Sequence, residues 1–78
     1  MVNKEQVRAA RAWLNLSQQD LAELARVSKR TLASFEQGST IPYDRTLRDV
    51  QAALEQLGIE FLFDGDIGVG IRARTKSD

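Results

Sequence analysis

The stretch that decides the fold begins with Leu16-Ser17-Gln18-Gln19-Asp20-Leu21-Ala22. It continues through Val27-Ser28-Lys29-Arg30-Thr31 and ends with Phe35-Glu36-Gln37-Gly38. Ser17 can accept from the free amides of a first helical turn, and Asp20 favours the positive end of that helix. Ser28 offers the same cap to a second helix. Because the caps are eleven residues apart, only residues 26–28 can form the corner. The pattern predicts two short helices that meet at a steep angle.

The apolar positions of both helices have helical spacing. Leu21, Leu24 and Ala25 form the predicted buried stripe of the first helix, and Leu32 and Phe35 form that of the second. The outer faces of the second helix are left with Lys29, Arg30, Ala33, Ser34 and Gln37. Two helices joined by so short a corner form a helix-turn-helix, in which the second helix reads DNA.

These residues resemble the DNA-binding domains of the phage repressor and Cro class, the xenobiotic-response-element-like bacterial regulators, over about residues 5 to 57. The matching positions are Arg11, the Leu-Ser-Gln opening, Ala22, Val27-Ser28, the Phe-Glu-Gln-Gly end, Ile41-Pro42, Thr46-Leu47 and Ala53-Leu54. The resemblance implies a mainly α fold, a four-helix Cro/repressor-like helix-turn-helix domain. A C-terminal β-hairpin is expected to follow it.

The resemblance also implies which side chains meet DNA. Base contacts fall on Gln18, Lys29, Arg30 and Ser34, and the two cations suit guanine O6 and N7. The expected phosphate contacts are Gln18, Arg26, Ser28, Gln37 and Thr40. Thr40 is equally consistent with an ordinary loop residue. The family pattern further suggests that Arg11 pairs with Glu36, and we interpret that pair as structural.

Arg26 stands at the turn position that is usually glycine in this family. A left-handed conformation there costs a non-glycine residue on the order of 1 kcal/mol, which a small domain tolerates. We therefore expect a mildly strained turn at Arg26. The residue is either simply tolerated or retained because a cation beside the second helix favours the DNA backbone.

Length and composition predict one small domain. A chain of 78 residues buries only about 60% of its unfolded surface, so a second subunit would help to stabilise it. The chain has neither cysteine nor histidine, and we therefore expect no enzyme, no cofactor and no bound metal. Met1-Val2-Asn3-Lys4 lacks the apolar core of a secretion signal, and no apolar run reaches the roughly 20 residues of a membrane span. The sequence thus predicts a cytoplasmic, nucleoid-associated protein.

The net charge is zero, but the charged residues are distributed unevenly along the chain. Residues 1–48 hold eight Lys and Arg against five Asp and Glu, whereas residues 49–78 hold three against six. Arg26, Lys29 and Arg30 form a local basic spot at the start of the second helix of the motif. So small a spot predicts weak nonspecific binding and dependence on base sequence and on dimerisation.

Two further helices flank the motif in the predicted fold. Asn3 should cap a helix from Lys4 to about Leu14, with Val7, Ala10 and Leu14 buried and Trp13 as an edge packing residue. After an extended link at Ile41-Pro42, Asp44 should cap a fourth helix from Arg45 to Leu57, which Gly58 ends. This gives a helix-turn-helix domain over residues 1–58.

After Gly58 the apolar period changes from 3.6 to 2, which predicts a hairpin over residues 59–74 around a turn at residues 64–68. Gly65, Gly68 and Gly70 are interpreted as turn and close-packing glycines. The apolar strand residues are more than a small core needs, and they predict a homodimer through Ile59, Phe61, Phe63, Val69 and Ile71. The alternative is a hairpin that only covers its own domain. Residues 75–78 are expected to be a disordered tail.

The hypothesis for function is a sequence-specific regulator of transcription that binds double-stranded DNA, a repressor acting as a homodimer on a palindromic operator. The alternative is an antitoxin or antiactivator that acts mainly by binding a partner protein, such as a toxin or another regulator. The neutral charge and the sizeable hairpin favour the alternative. DNA binding is favoured by the complete set of predicted base contacts at Gln18, Lys29, Arg30 and Ser34. No membrane partner is expected.

Overall fold

The computed structural model describes residues 1–74 and confirms a mainly helical chain that ends in a hairpin. The predicted tail, residues 75–78, lies outside the described residues. The elements are α1 (Lys4–Leu14), α2 (Gln18–Ala25), α3 (Lys29–Gln37), α4 (Asp44–Gln56), β1 (Ile59–Asp64) and β2 (Ile67–Ala73). Within residues 1–74 no helix combines the length and the apolar character needed to cross a membrane.

The three predicted caps of the first helices are confirmed. Asn3 Oδ1 accepts from the amide of Gln6 at 2.8 Å, and Ser28 Oγ accepts from the amide of Thr31 at 3.0 Å. At α2 the cap is reciprocal, because Ser17 Oγ accepts from the Asp20 amide while the Ser17 amide donates to Asp20 Oδ2. The hydrogen bond that the Ser17 amide donates to the Asp20 carboxylate lowers the pKa of Asp20 below its usual value.

The ends of α4 differ from the prediction. Asp44 is the first residue of the helix and not its cap, which falls on Tyr43 without a side-chain hydrogen bond. Asp44 still suits the first turn, because a carboxylate there interacts favourably with the positive helix end. The helix ends at Gln56, one residue before the predicted end at Leu57, and the chain turns at Gly58 with φ +99°.

The core contains residues from all four helices and the hairpin; its most deeply buried large side chains are Val7, Leu21, Leu32, Val50, Leu54 and Ile59. The predicted burial of Leu24 is wrong, and Trp13, predicted as a packing residue at the helix edge, is largely exposed. Leu24 is 52% exposed because α2 turns Leu21, Ala22 and Ala25 inward. Trp13 is 68% exposed, because the buried face of α1 is that of Gln6, Val7 and Ala10.

The hairpin is antiparallel and contains one irregularity. Ile59 lies opposite Ala73 and Phe61 opposite Ile71, but a β-bulge leaves Val69 without a partner on β1. The turn consists of two residues, narrower than predicted, and Gly65 takes φ +63° there as in a type II′ turn. Ile59 and Phe61 are buried in the core of their own chain. The hairpin therefore covers its own helices with one face.

The bulge is the place where α1 holds the hairpin. Gln6, only 2% exposed, donates through Nε2 to the carbonyls of Leu62 at 2.9 Å and Gly70 at 3.0 Å. Asn3 Nδ2 donates to the carbonyl of Gly68 at 3.0 Å. The two residues of the α1 cap thus also bind three backbone carbonyls of the hairpin, and we call Asn3 and Gln6 the amide latch.

Gly68→Ala should lower the free energy of unfolding by about 1–3 kcal/mol, because an added Cβ would overlap the side-chain amide of Gln6. That amide cannot retreat without breaking the hydrogen bonds of the amide latch. Gly70→Ala is the matched control, since a Cβ there meets no atom within 4 Å. Urea denaturation of both variants measures the difference, and equal stability would contradict close packing at Gly68.

Candidate nucleic-acid interface

The exposed side of α3, which we call the reader helix, carries four of the predicted DNA-contacting residues. Lys29 and Arg30 are exposed in its first turn, Ser34 is half-buried one turn later and Gln37 is exposed at the end. The opposite side is buried and consists of Leu32, Phe35 and Glu36. Within residues 1–74 neither Lys29 nor Arg30 makes an ion pair or a side-chain hydrogen bond. Their charges are available to a ligand.

A buried carboxylate fixes α3 against the rest of the domain. Glu36 is 3% exposed and accepts from Arg11 twice, at 2.9 Å from Nε and 2.7 Å from Nη2. Arg11 Nη1 also donates to the carbonyl of Leu16, just before α2, at 2.9 Å. The hydrogen bond to Glu36 raises the pKa of Arg11 above its ordinary value. The predicted structural pair is therefore present, and it ties α1 to α3 and to the start of α2.

Gln18 belongs to the same network. Its Nε2 donates to Glu36 Oε1 at 3.3 Å, and the side chain is half-buried. One amide hydrogen is thereby engaged, while an amide group has a second hydrogen and a carbonyl oxygen for other partners. Gln18 thus stands at the junction of α2 with the reader helix, in an orientation that Glu36 helps to set.

The other predicted phosphate contacts differ in how free their side chains are. Arg26, Gln37 and Thr40 are exposed. Ser28 is exposed too, but its hydroxyl already accepts from the Thr31 amide and donates to Thr31 Oγ1 at 2.8 Å. The cap therefore occupies the Ser28 hydroxyl, and its role at α3 is first of all structural.

The sequence reasoning missed two supporting residues, Arg8 and Lys4, and did not predict the exposure of Ile41 and Tyr43. Arg8 donates to the carbonyl of Glu36 at 3.1 Å, near the end of α3. The Lys4 ammonium lies beside Gly38, where a cation suits the negative helix end. Ile41 and Tyr43, in the link to α4, are 89% and 87% exposed. The partners lie far apart in the chain, so no local pattern pointed to the contacts of Arg8 and Lys4.

Arg26 adopts the expected left-handed conformation, with φ +58°. We expect Arg26→Gly to raise the free energy of unfolding by about 0.5–1 kcal/mol, because glycine takes this conformation without steric cost. It should also weaken DNA binding by removing an exposed cation. Asn15→Gly is the matched control, since Asn15 has φ +57° but tolerates this region better. A melting temperature that falls in Arg26→Gly would contradict strain at the turn.

The geometry so far defines a DNA-binding helix-turn-helix: two short capped helices, a left-handed corner and a second helix with exposed cations in its first turn. The family model of the Cro/C1-type helix-turn-helix matches residues 7–62. The chain belongs to this family, whose members bind DNA and regulate transcription. It is a family of DNA-binding regulatory domains and not of enzymes. A search among curated proteins gave no match.

Proposed function

We propose that this regulator is a sequence-specific repressor that binds a palindromic operator as a homodimer, with α3 in the major groove. One observation carries the proposal: Lys29 and Arg30 have no partner among the 74 described residues and lie exposed in the first turn of a helix that is itself held by a buried ion pair. A rigid helix is needed for readout of base edges, since a displaced donor loses the directional hydrogen bond.

The proposed contacts divide by chemistry. Lys29 and Arg30 read guanine O6 and N7, and Ser34 makes a further base contact one turn along the groove. Gln18, oriented by Glu36, contacts a phosphate and a base edge. Arg26, Ser28, Gln37 and Thr40 are the remaining phosphate contacts in the proposal, with Ser28 limited by its capping role.

The proposed dimer uses the hairpin. Ile59 and Phe61 are 1% and 7% exposed in the core of their own chain, so they cannot form a contact surface for a second subunit. Phe63 and Val69, at 38% and 61%, keep the exposed area that a subunit contact needs. A twofold axis near the hairpin would set two copies of α3 about one DNA turn apart, roughly 34 Å.

Repression follows from size and position in this proposal. A small dimer on a promoter occupies the surface that polymerase needs, and occlusion requires no contact with the polymerase itself. The domain division proposed from the sequence assigns DNA reading to residues 1–58 and self-association to residues 59–74.

The test is binding of the purified protein to duplex fragments from its own upstream region, at near-physiological salt. We expect a palindromic footprint that disappears in Lys29→Ala/Arg30→Ala. The matched control is Arg45→Ala/Arg48→Ala, which removes two exposed cations from α4, outside both the α2–α3 motif and the hairpin. The control should still protect the same bases as the unmodified chain.

Three outcomes would contradict the proposal. A footprint that persists in Lys29→Ala/Arg30→Ala would show that these two side chains do not make the proposed base contacts. A footprint without dyad symmetry would contradict the homodimer on a palindrome. A folded protein that protects no upstream fragment but co-purifies with the product of a neighbouring gene would favour the antitoxin or antiactivator function.

A further inference from the structure

A groove of about 400 Å³ lies at the C-terminal end of the reader helix, between the start of α1 and the link to α4. Lys4, Gly38 and Thr40 are among the residues that line it. The basic spot predicted from the sequence lies at the opposite end of α3. The groove is therefore a separate feature of the surface, and we call it the Lys4 groove.

Lys4 supplies the positive charge of this groove. Its side chain is half-buried, and a Cβ added at Gly38 would lie only 2.6 Å from Lys4 Nζ. Within residues 1–74 the ammonium makes no ion pair. The carboxylate among the lining residues, that of Glu5, pairs with Arg8 at 3.6 Å instead. The Lys4 groove thus contains a cation, held against Gly38, whose charge no described side chain neutralises.

The polar neighbours of Lys4 have side chains that bind phosphate well. Gln37 directly precedes Gly38, Thr40 follows it by two residues, and both are exposed. Amide N–H and hydroxyl groups donate to phosphate oxygens, as an ammonium does. Three donors of different chemistry therefore lie around one glycine. The arrangement fits an anion that has several acceptor oxygens.

The other lining residues are mostly apolar and fit the sugar that carries such an anion in DNA. Phe35 and Leu47, both buried, form part of the wall, and Ile41 is 89% exposed. Deoxyribose carbons flank every backbone phosphate, so a nucleotide offers apolar surface next to its charge. A free inorganic anion has no group that could cover Ile41. The chemistry of the groove therefore favours the DNA backbone over a free anion.

The length of α3 suits contacts at both of its ends. A helix of nine residues is about 13.5 Å long, and the major groove is about 12 Å wide. Arg26 and Lys4 lie at opposite ends of this helix. Cations at both ends can therefore reach backbone phosphates on the two sides of one major groove.

We propose that the Lys4 groove binds one backbone phosphate of the operator, with the adjoining deoxyribose against Ile41. Lys4 makes the electrostatic contact, and Gln37 and Thr40 donate to the same phosphate group. The contact fixes the C-terminal end of α3 on the DNA while base readout takes place at its start. The inference rests on the proposed function, since it adds Lys4 and Ile41 to the contacts of the same complex.

The dependence of operator affinity on salt tests the charge of Lys4. Lys4→Met keeps the apolar stem and removes the ammonium, and it should weaken binding roughly fivefold at about 0.15 M salt. The slope of log affinity against log salt concentration should become shallower by about one, because one fewer counterion is released. The loss should be equal for the operator and for its single-base variants, since a phosphate carries no sequence information.

Matched variants separate the charge from the packing. Lys4→Arg keeps the positive charge and should keep the salt slope of the unmodified chain. Arg48→Met removes an exposed cation from α4 and should change neither affinity nor slope. Ile41→Ser should weaken binding at an unchanged slope, because the contact with deoxyribose is apolar. Thermal melting shows which variants are folded at the temperature of the binding measurement, and Lys4→Gln replaces Lys4→Met if the latter is not.

A neutral backbone position identifies the phosphate directly. Operators are prepared in which one phosphate at a time is replaced by an uncharged methylphosphonate. Replacement at the proposed contact should weaken the unmodified chain more than Lys4→Met, because the variant has already lost the partner charge. At the phosphate that Arg26 contacts, both proteins should lose affinity equally.

An unchanged salt slope in Lys4→Met overturns the inference, and a lower melting temperature alone would then make Lys4 a stabiliser of the end of α3. A loss confined to particular base sequences also overturns it, because a phosphate contact is independent of sequence. In both cases the unmodified chain still protects its operator, so the proposed function stands. An unmodified chain that binds no duplex contradicts the proposed function, and the inference falls with it.

Discussion

Replacing Arg11 by methionine should lower the free energy of unfolding by about 3–5 kcal/mol, the range for a buried charge left without its partner. Glu36 is 3% exposed and receives two hydrogen bonds from Arg11, so the substitution leaves a carboxylate in the core with only Gln18 beside it. Such a loss is a large fraction of the stability of a small domain. Urea denaturation followed by circular dichroism measures it.

The chain contains its own control for this experiment. Arg72 pairs with Glu60 at 2.8 Å, nearly the distance of the Arg11–Glu36 pair at 2.7 Å, but its side chains are 64% and 40% exposed. Arg72→Met should therefore cost at most about 1 kcal/mol. Arg11→Met/Glu36→Leu should recover most of the stability, because no unpaired charge remains. Equal losses in Arg11→Met and Arg72→Met would show that burial does not strengthen the first pair.

Arg30→Ala should weaken operator binding by roughly ten- to a hundredfold and relax the preference at one base position of each half-site. The expected reason is loss of a bidentate contact to guanine from a side chain that is exposed in the first turn of α3. Fluorescence anisotropy with an operator and with every single-base replacement at the protected positions measures both effects.

Arg72→Ala is the matched substitution, because it also removes one exposed arginine but lies on β2. It should leave the base preference unchanged. A uniform loss over all operator variants in Arg30→Ala would make Arg30 a phosphate contact instead. In that case the dependence of affinity on salt should also become shallower, because one fewer counterion is released on binding.

The helix-turn-helix could be predicted because its determinants are local. Ser17 and Ser28 cap the helices that directly follow them, and Arg26 marks the corner between them. Each signal depends on residues within about one helical turn, so it can be recognised in the sequence without knowledge of the tertiary structure. The pair of Arg11 with Glu36 spans 25 residues and came from family resemblance, not from spacing.

Burial at the margins of helices could not be predicted in the same way. Leu24 and Trp13 are apolar and lie next to buried positions, yet both stay exposed because the neighbouring helices face Leu21 and Ala10 instead. The β-bulge could not be predicted either. Alternation placed Val69 with Ile71 on one face, but Val69 is an extra residue between the Phe63–Gly68 and Leu62–Gly70 pairs. Gln6 binds the carbonyls of Leu62 and Gly70 at this place, a contact that no local pattern indicates.

The amide latch has a consequence for the order of events during synthesis. Asn3 and Gln6 leave the ribosome well before their carbonyl partners at Gly68 and Gly70, which lie 65 and 64 residues later in the chain. Helices α1 to α3 can form earlier from local contacts, whereas contacts of such separation close late. A nascent regulator would therefore acquire its reader helix before its hairpin docks on α1, and the hydrogen bonds of the amide latch would be among the last contacts to form.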